Sequence, residues 1–243
     1  MHKFPEPFLG GPSGDMTMLP SAEYIARAWA DASTYPDDSR LALMDAMNGI
    51  IAANWSVKKP HWTADDSPFQ EGYGLTLVKF IDEIVAFSVY RRLQVAGLPA
   101  IYRSGTEVLP AHQGRGLYEF FTKEALYASR VDGAMQPDTI FYAWRTRNPI
   151  IWASNAKICD KVVPSLLEDE QDSILQKAGL QMCEMLYPDR RLELPTFIMR
   201  DAYGHITQRS QHYHGTAALV SVVFKRLIPD PKDAIFSIGT ARL

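Results

Sequence analysis

Cysteine is scarce in this chain, and the usual metal-ligand patterns are missing. Cys159 and Cys183 are the two cysteines among 243 residues, too few for the disulfide framework of a small secreted protein. We therefore expect two free thiols in a reducing compartment. Neither C-x-x-C nor H-E-x-x-H occurs, so no metal site is predicted. His205, His212 and His214 lie close together, and the H-x-H at 212 and 214 could be a metal pair or a base. No Cys, Asp or Glu follows at ligand spacing, which favours a solvated loop.

Long apolar runs and a dominant charge of either sign are also missing. No apolar run approaches the roughly 20 residues of a membrane span, and the first residues lack the apolar core of a signal peptide. Lysine and arginine number 25 against 28 acidic residues, a net charge of -3. Without a basic stripe, nucleic-acid binding is not expected, and Arg145 and Arg147 are interpreted as ligand or surface charges. We expect a cytoplasmic protein that binds neither membranes nor nucleic acids.

A glycine-rich turn lies between a predicted strand and a predicted helix. The strand ends before Pro110, which cannot donate to a sheet ladder, and the turn Gln113-Gly114-Arg115-Gly116 follows. Apolar residues then recur at helical spacing up to Leu126. Amide groups at such a turn and the positive end of the helix dipole together bind phosphate oxygens. Since neither G-x-G-x-x-G nor the ATP P-loop pattern is present, the turn predicts a different nucleotide-like cofactor.

The segments around this turn have a defined order. Two apolar, β-rich runs, Leu75–Phe80 and Ile84–Tyr90, form a predicted hairpin, and Ala100–Leu109 is a third strand. After the turn and its helix, Thr139–Trp144 is a fourth strand, and Asn148 follows its end. With 47% hydrophobic residues, the chain suffices for one domain over 21–243 behind an irregular arm at 1–20.

This pattern resembles the GCN5-related N-acetyltransferase (GNAT) superfamily over about residues 75–161. Motif A of that family reads Gln/Arg-x-x-Gly-x-Gly/Ala after a V-x-P strand end, and Gln113 and Gly116 match it. Tyr118 stands where the family favours a small residue, and Asn148 resembles the asparagine of motif B. The resemblance implies a mixed α+β fold, the GNAT-like acyl-CoA N-acyltransferase fold, with a central, mostly antiparallel sheet flanked by helices.

The same resemblance implies acetyl-CoA or another acyl-CoA as co-substrate, without a metal. Backbone groups of Val108 and Leu109 would meet the pantetheine arm, and Gln113–Gly116 would hold the pyrophosphate. The full set of residues expected at the cofactor is Val108, Leu109, Gln113, Gly114, Arg115, Gly116, Leu117, Tyr118, Asn148 and Trp152.

Acyl transfer of the GNAT type needs a base that leaves the acceptor amine neutral, and a donor to the thioester oxyanion. Glu107 and Tyr102 are the candidates for the base, and Glu83 is a weaker one. The amide of Leu109, or of a neighbour, is the candidate oxyanion donor. A family tyrosine that protonates the leaving thiolate would fall at Asn155, so that expected residue is missing.

Three functions follow from the resemblance. The first is an N-acyltransferase acting on the amine of a small molecule or peptide by direct attack on the thioester. The second is a non-catalytic module that binds or senses acyl-CoA, which the residues at Tyr118 and Asn155 favour. The third is an acyltransferase that takes long acyl chains or uses a carrier protein. A homodimer is left open.

The remaining segments are predicted from periodicity and caps. A helix begins after Ser21, no first strand is recognised, and a second helix covers Asp38–Asn54. The long loop Trp55–Tyr73 places His61, Trp62 and Phe69 either along a substrate pocket or against the core. Further predicted elements are helices at Pro149–Cys159 and at Ser165–Ala178 with Gly179 as C-cap, and strands at 195–199, 217–227 and 235–238.

Overall fold

A computed structural model describes residues 21, 23–128, 138–167, 172–204, 206–208 and 215–242. The predicted arm at 1–20 and the three clustered histidines lie outside the described residues. Within those residues, no helix combines the length and the apolar character that crossing a membrane requires.

The described residues form eleven strands and five α-helices. The strands are β1 (Tyr24–Trp29), β2 (Trp55–Val57), β3 (Tyr73–Phe80), β4 (Glu83–Val95), β5 (Leu98–Val108), β6 (Thr139–Thr146), β7 (Cys159–Val163), β8 (Leu192–Glu193), β9 (Ile198–Met199), β10 (Ile206–Gln208) and β11 (Ala234–Arg242). The helices are α1 (Asp37–Asn54), α2 (Leu117–Ala128), α3 (Pro149–Ala156), α4 (Ser173–Leu186) and α5 (Thr216–Leu227).

The chain divides into two compact units. The first comprises the described residues up to Asn54, with Pro60–Arg91 and Gly105–Ala128. The second comprises Trp55–Lys59, Arg92–Ser104 and the described residues from 138 onward. One domain over 21–243 stays a prediction.

The first unit contains antiparallel strands with helices packed against them. β1 pairs antiparallel with β3, and β3 pairs antiparallel with β4. Near the end of β5, the Thr106 and Ser88 hydroxyls are hydrogen-bonded at 2.9 Å. Helix α2 buries Leu117, Phe120 and Phe121 in a cluster with residues of β1, β3 and β4. This packing holds the helix start, and with it the glycine turn, against the strands.

The second unit is built around β11. This strand pairs antiparallel with β6 along its length and also with β7 and β9. The described residues contain one parallel ladder, which joins Ala100–Arg103 of β5 to Phe141–Trp144 of β6. On one sheet face, α4 buries Leu175, Met182 and Cys183 against a cluster that includes Tyr102. The mixed α+β class with a mostly antiparallel sheet is therefore confirmed.

The predicted order of three strands, glycine turn, helix, strand and helix is also confirmed, by β3 to β6 with α2 and α3. Helix α1 begins and ends within one residue of the predicted bounds. These segments follow local periodicity, and their caps and turns agree with it.

Two predicted elements have the wrong type. The segment after Ser21 is strand β1, not a helix, so the first strand that seemed missing is present. Its alanines favour a helix by propensity, but pairing of all six residues with β3 outweighs that preference. Ala217–Leu227, predicted as a strand, lies in helix α5, which buries Val220 and Phe224 one helical turn apart. A short apolar run does not distinguish the two structures by itself.

The bounds of two predicted helices also differ from the prediction. Helix α4 begins after its cap Asp172 rather than at Ser165. Gly179 lies inside this helix, not at its end. A β-carbon there would lie 2.7 Å from the Phe197 ring, so the close packing explains the glycine. Helix α3 ends at Ala156, and Cys159 already belongs to β7.

Candidate functional site

The glycine turn has a backbone that glycine alone adopts easily. Gly114 and Gly116 have φ angles of 73° and 79°, in the left-handed region where a β-carbon is unfavourable. A β-carbon placed on either glycine would meet no atom within 4 Å. The surface of the turn is thus open at both glycines, with room for a ligand to approach the backbone.

Helix α2 begins immediately after this turn. The first helical bond runs from the Phe120 amide to the Gly116 carbonyl at 3.1 Å. Within the described residues, the amides of Arg115, Gly116 and Leu117 donate to no acceptor. We call Gln113–Leu117 the glycine cradle. Unpaired amides at the positive end of a helix dipole suit phosphate oxygens, and Arg115 adds an exposed positive charge.

Glu107 belongs to a hydrogen-bond network that joins the end of β5 to the cradle. The Asn54 amide group donates to the Glu107 carboxylate at 2.7 Å and to the Val108 carbonyl at 2.9 Å. The Gln113 amide group donates to the Asn54 side-chain oxygen at 2.9 Å and to the Val108 carbonyl at 3.0 Å. Gln113 therefore holds the turn through its side chain, and Asn54 orients the carboxylate.

Sequence reasoning missed Asn54. It is the last residue of α1 and lies 53 positions before its partner Glu107. A polar residue at the end of an apolar helix was the available signal, and it does not specify a partner.

The backbone groups predicted to meet the cofactor already have partners. The Val108 carbonyl accepts from both Asn54 and Gln113. The Leu109 amide donates to the Val85 carbonyl at 2.8 Å. An amide engaged in this way is not free to stabilise an oxyanion, which counts against Leu109 in that role. Leu117 is buried in the core, and Tyr118, half-buried, accepts at its carbonyl from the Thr122 hydroxyl.

The long loop before β3 is fixed by hydrogen bonds to α1 and by burial of two of its aromatic side chains. The Asn48 side-chain oxygen accepts from the amides of His61 and Trp62, and its nitrogen donates to the Trp62 carbonyl. Trp62 is buried and lies over Gly105 of β5, where a β-carbon would be 3.3 Å from the indole. Phe69 is buried and stacks on Tyr35. These contacts favour the interpretation that the loop is pinned to the core.

Asn148 and Trp152, predicted at the cofactor, have contacts within the second unit. The Asn148 side chain caps α3 by accepting from the Ile150 amide at 2.9 Å. The buried Trp152 indole donates to the Ser237 hydroxyl at 3.1 Å. Both contacts stabilise the fold, and a role at the cofactor stays a prediction for each.

Asn155, in the place of the expected tyrosine, is fully buried. Its side-chain oxygen accepts from the Tyr142 hydroxyl at 3.2 Å, and that hydroxyl accepts from Arg103 at 3.0 Å. The tyrosine hydroxyl here thus comes from the preceding strand and is buried in a hydrogen-bonded cluster.

Tyr102 is buried in the second unit and is hydrogen-bonded to the Tyr187 hydroxyl. Burial, together with Tyr187, raises the pKa of Tyr102 well above 10. The phenol therefore stays protonated near neutral pH, which counts against a role as general base. Of the predicted residues, the structure thus joins Glu107, Val108 and Gln113 in one network, whereas Tyr102, Asn148 and Trp152 have separate contacts.

No protein-family model and no curated protein matches this chain. Solved structures similar to it include N-acetyltransferases and a GNAT domain. A match to the ribosomal-protein-S18-alanine N-acetyltransferase from Escherichia coli covers 90% of this chain and 95% of that one, with 11% identity and a TM-score of 0.44. A match to the GNAT domain of S. lividans PAT covers 59% and 84%, with 16% identity and a TM-score of 0.42.

Another similar structure is that of AAC(6')-Iy with a bisubstrate analogue of CoA. The match covers 56% of this chain and 88% of that one, with 13% identity and a TM-score of 0.39. All three TM-scores are below 0.5.

Proposed function

We propose that this protein is an N-acyltransferase that uses acyl-CoA, acetyl-CoA by default, to acylate an amine of a small molecule or peptide. The observation that carries the proposal is the glycine cradle. It follows a strand, opens a helix of 12 residues, and has two glycines at positive φ with open space beside them. Such a backbone presents amides to phosphate oxygens without interference from side chains.

The residues of the cradle fit a pyrophosphate in charge as well as in shape. Arg115 is exposed within the cradle, and no acidic residue occurs between Val108 and Tyr118. Arg115, Gly116 and Leu117 would hold the pyrophosphate of CoA by their amides. When bound, acyl-CoA supplies an activated thioester carbonyl.

Glu107 is the residue we assign to proton transfer. Its carboxylate accepts the proton of the acceptor ammonium, directly or through water, which leaves a neutral amine. The amine would form the new C–N bond as the C–S bond of the thioester breaks, and the CoA thiolate would take its proton from water. The hydrogen bond from Asn54 holds the carboxylate in one orientation. Asn54 acts through Glu107 and is therefore a positioning residue.

A second candidate function is an acyl-CoA-binding module without turnover. Two observations favour it: the occupied Leu109 amide, and the buried Tyr142–Asn155 pair where a tyrosine is expected at the position of Asn155. An acyltransferase that takes long acyl chains or uses a carrier-protein donor remains a third.

Calorimetric titration with CoA, acetyl-CoA and longer acyl-CoAs tests the cradle, and thiol release with a panel of amines tests turnover. We expect binding of CoA, and turnover that falls about 100-fold or more in Glu107→Gln with CoA affinity unchanged, the usual size of a lost general base. Glu71→Gln is the matched control, since Glu71 is an exposed acid outside the network of Glu107 and should leave both quantities unchanged.

Two other outcomes would support one of the alternative functions, and a third would contradict the cofactor site itself. Binding without turnover of any amine would support the sensing module. Affinity that rises with acyl length would support the long-chain enzyme. Failure to bind any acyl-CoA would contradict the assignment of the cradle.

A further inference from the structure

The second unit contains an arginine enclosed by tyrosine rings. The Arg145 guanidinium carbon lies 4.9 Å from the ring centre of Tyr187 and 5.0 Å from that of Tyr203. The Tyr187 hydroxyl is hydrogen-bonded to Tyr102, and the Tyr203 hydroxyl donates to the Arg145 carbonyl at 3.2 Å. We call Arg145, Tyr187 and Tyr203 the arginine cage. The hydrogen bonds to Tyr102 and to the Arg145 carbonyl thus help to hold both tyrosines in place.

The guanidinium in this cage has no carboxylate partner among the described residues. Within the described residues, no acidic oxygen lies within 4.0 Å of it, although the same limit finds carboxylates beside Arg40, Arg190, Arg200 and Arg242. Its side-chain acceptors are the Met199 sulfur, at 3.9 Å, which is a weak acceptor, and the Tyr203 side chain. A guanidinium carries five N–H donors, so within the described residues the donors of Arg145 outnumber its acceptors.

Such an arrangement is costly unless an anion completes it. Arg145 is half-buried, so its charge is partly removed from water, and the aromatic faces offset only part of that loss. The four arginines just named each have a carboxylate nearby. We infer that the arginine cage is a binding site for the carboxylate group of a small ligand, which accepts the in-plane N–H donors as a bidentate pair.

The surroundings of the cage define the rest of the ligand. Trp55 lies beside Tyr203 with its ring centre 5.5 Å away, and Met199 adjoins the guanidinium. Aromatic rings and a thioether suit an apolar or aromatic body next to the carboxylate. The cage supplies a single positive charge, which balances a monocarboxylate but not a phosphate dianion. The inference does not depend on the proposed acyl transfer, because it is argued from residues of the second unit alone.

Titration of the full chain with phenylacetate, phenylacetamide and inorganic phosphate tests the inference. The probes should be followed through the side-chain Nε–H resonance of Arg145, identified by its loss in Arg145→Lys. We expect phenylacetate to shift this resonance in a saturable manner. Phenylacetamide, which has the same shape without the charge, should bind about tenfold more weakly or not at all, as expected for loss of a charge-assisted hydrogen bond. Phosphate should be weaker than phenylacetate.

Variants separate recognition from packing. Arg145→Lys keeps the charge but loses the planar pair of donors, so phenylacetate affinity should fall about tenfold while CoA binding stays unchanged. Equal binding of the acid and the amide, or no saturable shift with any carboxylate, would mean that Arg145 only clamps the two tyrosines and would overturn the inference. Stronger binding of phosphate would also overturn it. The titrations of the wild-type chain with acid, amide and phosphate can also be followed by calorimetry, which needs no resonance assignment, so they remain decisive even if Arg145→Lys fails to fold.

Discussion

Helices α2 and α3 both begin directly after a turn that follows a strand, yet their first turns are completed in opposite ways. At α3, the Asn148 side chain accepts from the Ile150 amide, and Pro149 has no amide hydrogen to satisfy. At α2, Gly116 has no side chain, and neighbouring amides have no acceptor within the described residues. One helix start is closed by the chain itself, and the other is left open.

The difference shows that unsatisfied amides at a helix start can serve either stability or ligand binding. Every α-helix begins with amides that lack an acceptor inside the helix. A capping side chain satisfies them and stabilises the helix, whereas a glycine turn leaves them to water or to a ligand. We therefore expect substitutions at α3 to change stability, and substitutions at α2 to change cofactor binding.

The largest expected effect is at the open helix start. Gly116→Asp should weaken CoA binding about 100-fold, equivalent to about 2.7 kcal/mol, because a carboxylate there repels the pyrophosphate and occupies its place. Isothermal titration of the variant against the wild type measures the change. Normal CoA affinity in Gly116→Asp would show that the cradle is placed wrongly.

Two controls separate charge from backbone strain and from position. The side chain in Gly116→Asn has the same size as that in Gly116→Asp and tolerates positive φ, so this variant should bind CoA within about threefold of the wild type. Gly215→Asp makes the same change at the start of α5, where φ is 55° and no atom lies within 4 Å of a β-carbon. CoA affinity should not change there. An equal loss in the Asn variant would assign the effect to shape rather than charge.

Substitution at the closed start of helix α3 should change the stability of the protein rather than its affinity for CoA. Asn148→Ala removes the cap of α3 and should lower the free energy of unfolding by about 1 kcal/mol. Urea unfolding measures this loss, and Asn148→Ser, which retains a capping oxygen, should recover most of it. CoA affinity should be unchanged in both variants. Weaker CoA binding without a loss of stability would instead support the cofactor role predicted for Asn148 from motif B.

Asp172 caps helix α4 with a carboxylate, so its contribution to stability, unlike that of the Asn148 cap, should depend on pH. The Asp172 carboxylate accepts from the Leu175 and Ile174 amides at the start of α4, and these bonds, chiefly that from Leu175, hold its pKa below the ordinary 3.8. Because the folded pKa is lowered, this stabilisation is present above pH 3.8 and is lost as the pH falls through the folded value. Asp172→Asn should therefore be less stable than the wild type at neutral pH.

The difference between Asp172→Asn and the wild type should shrink as the pH falls below 3.8. The penalty of Asn148→Ala should not follow pH in this way, since an amide does not titrate. Unfolding curves measured at several pH values distinguish the two caps. A pH-independent difference for Asp172→Asn would contradict the assigned origin of the stabilisation.

The smallest expected effect concerns the exposed arginine of the cradle. Arg115→Gln should weaken CoA binding about threefold at low salt, the scale of an exposed ionic contact, and the difference should disappear in about 0.5 M salt. Lys123→Gln is the control, because Lys123 lies on the same helix and pairs with Glu119. An effect that persists in high salt would indicate a bidentate contact rather than a screened charge.

Much of the fold could be predicted because its elements carry local patterns. The spacing of apolar residues indicated α1 and α2, and the paired runs around residues 81–83 indicated the β3–β4 hairpin. The glycine turn of the cradle could be predicted equally well, since positive φ favours glycine whatever residues surround it.

Elements whose type depends on a partner were predicted wrongly. Tyr24–Trp29 becomes strand β1 because β3 offers it a complete ladder. Residues 217–227 become helical, with Val220 and Phe224 buried while Leu219 and Val222 remain exposed. Propensity is a weak preference of tenths of a kcal/mol per residue, and tertiary pairing outweighs it.

The candidate sites show the same division. Sequence alone identified the glycine turn, Gln113 and Glu107, because one short segment contains them. Tertiary structure alone joined Asn54 to Glu107, showed the Leu109 amide donating to Val85, and enclosed Arg145 between Tyr187 and Tyr203. The reason is physical: backbone conformation follows from neighbouring residues, whereas hydrogen bonds and charge pairing depend on which distant side chains the fold brings within a few ångströms.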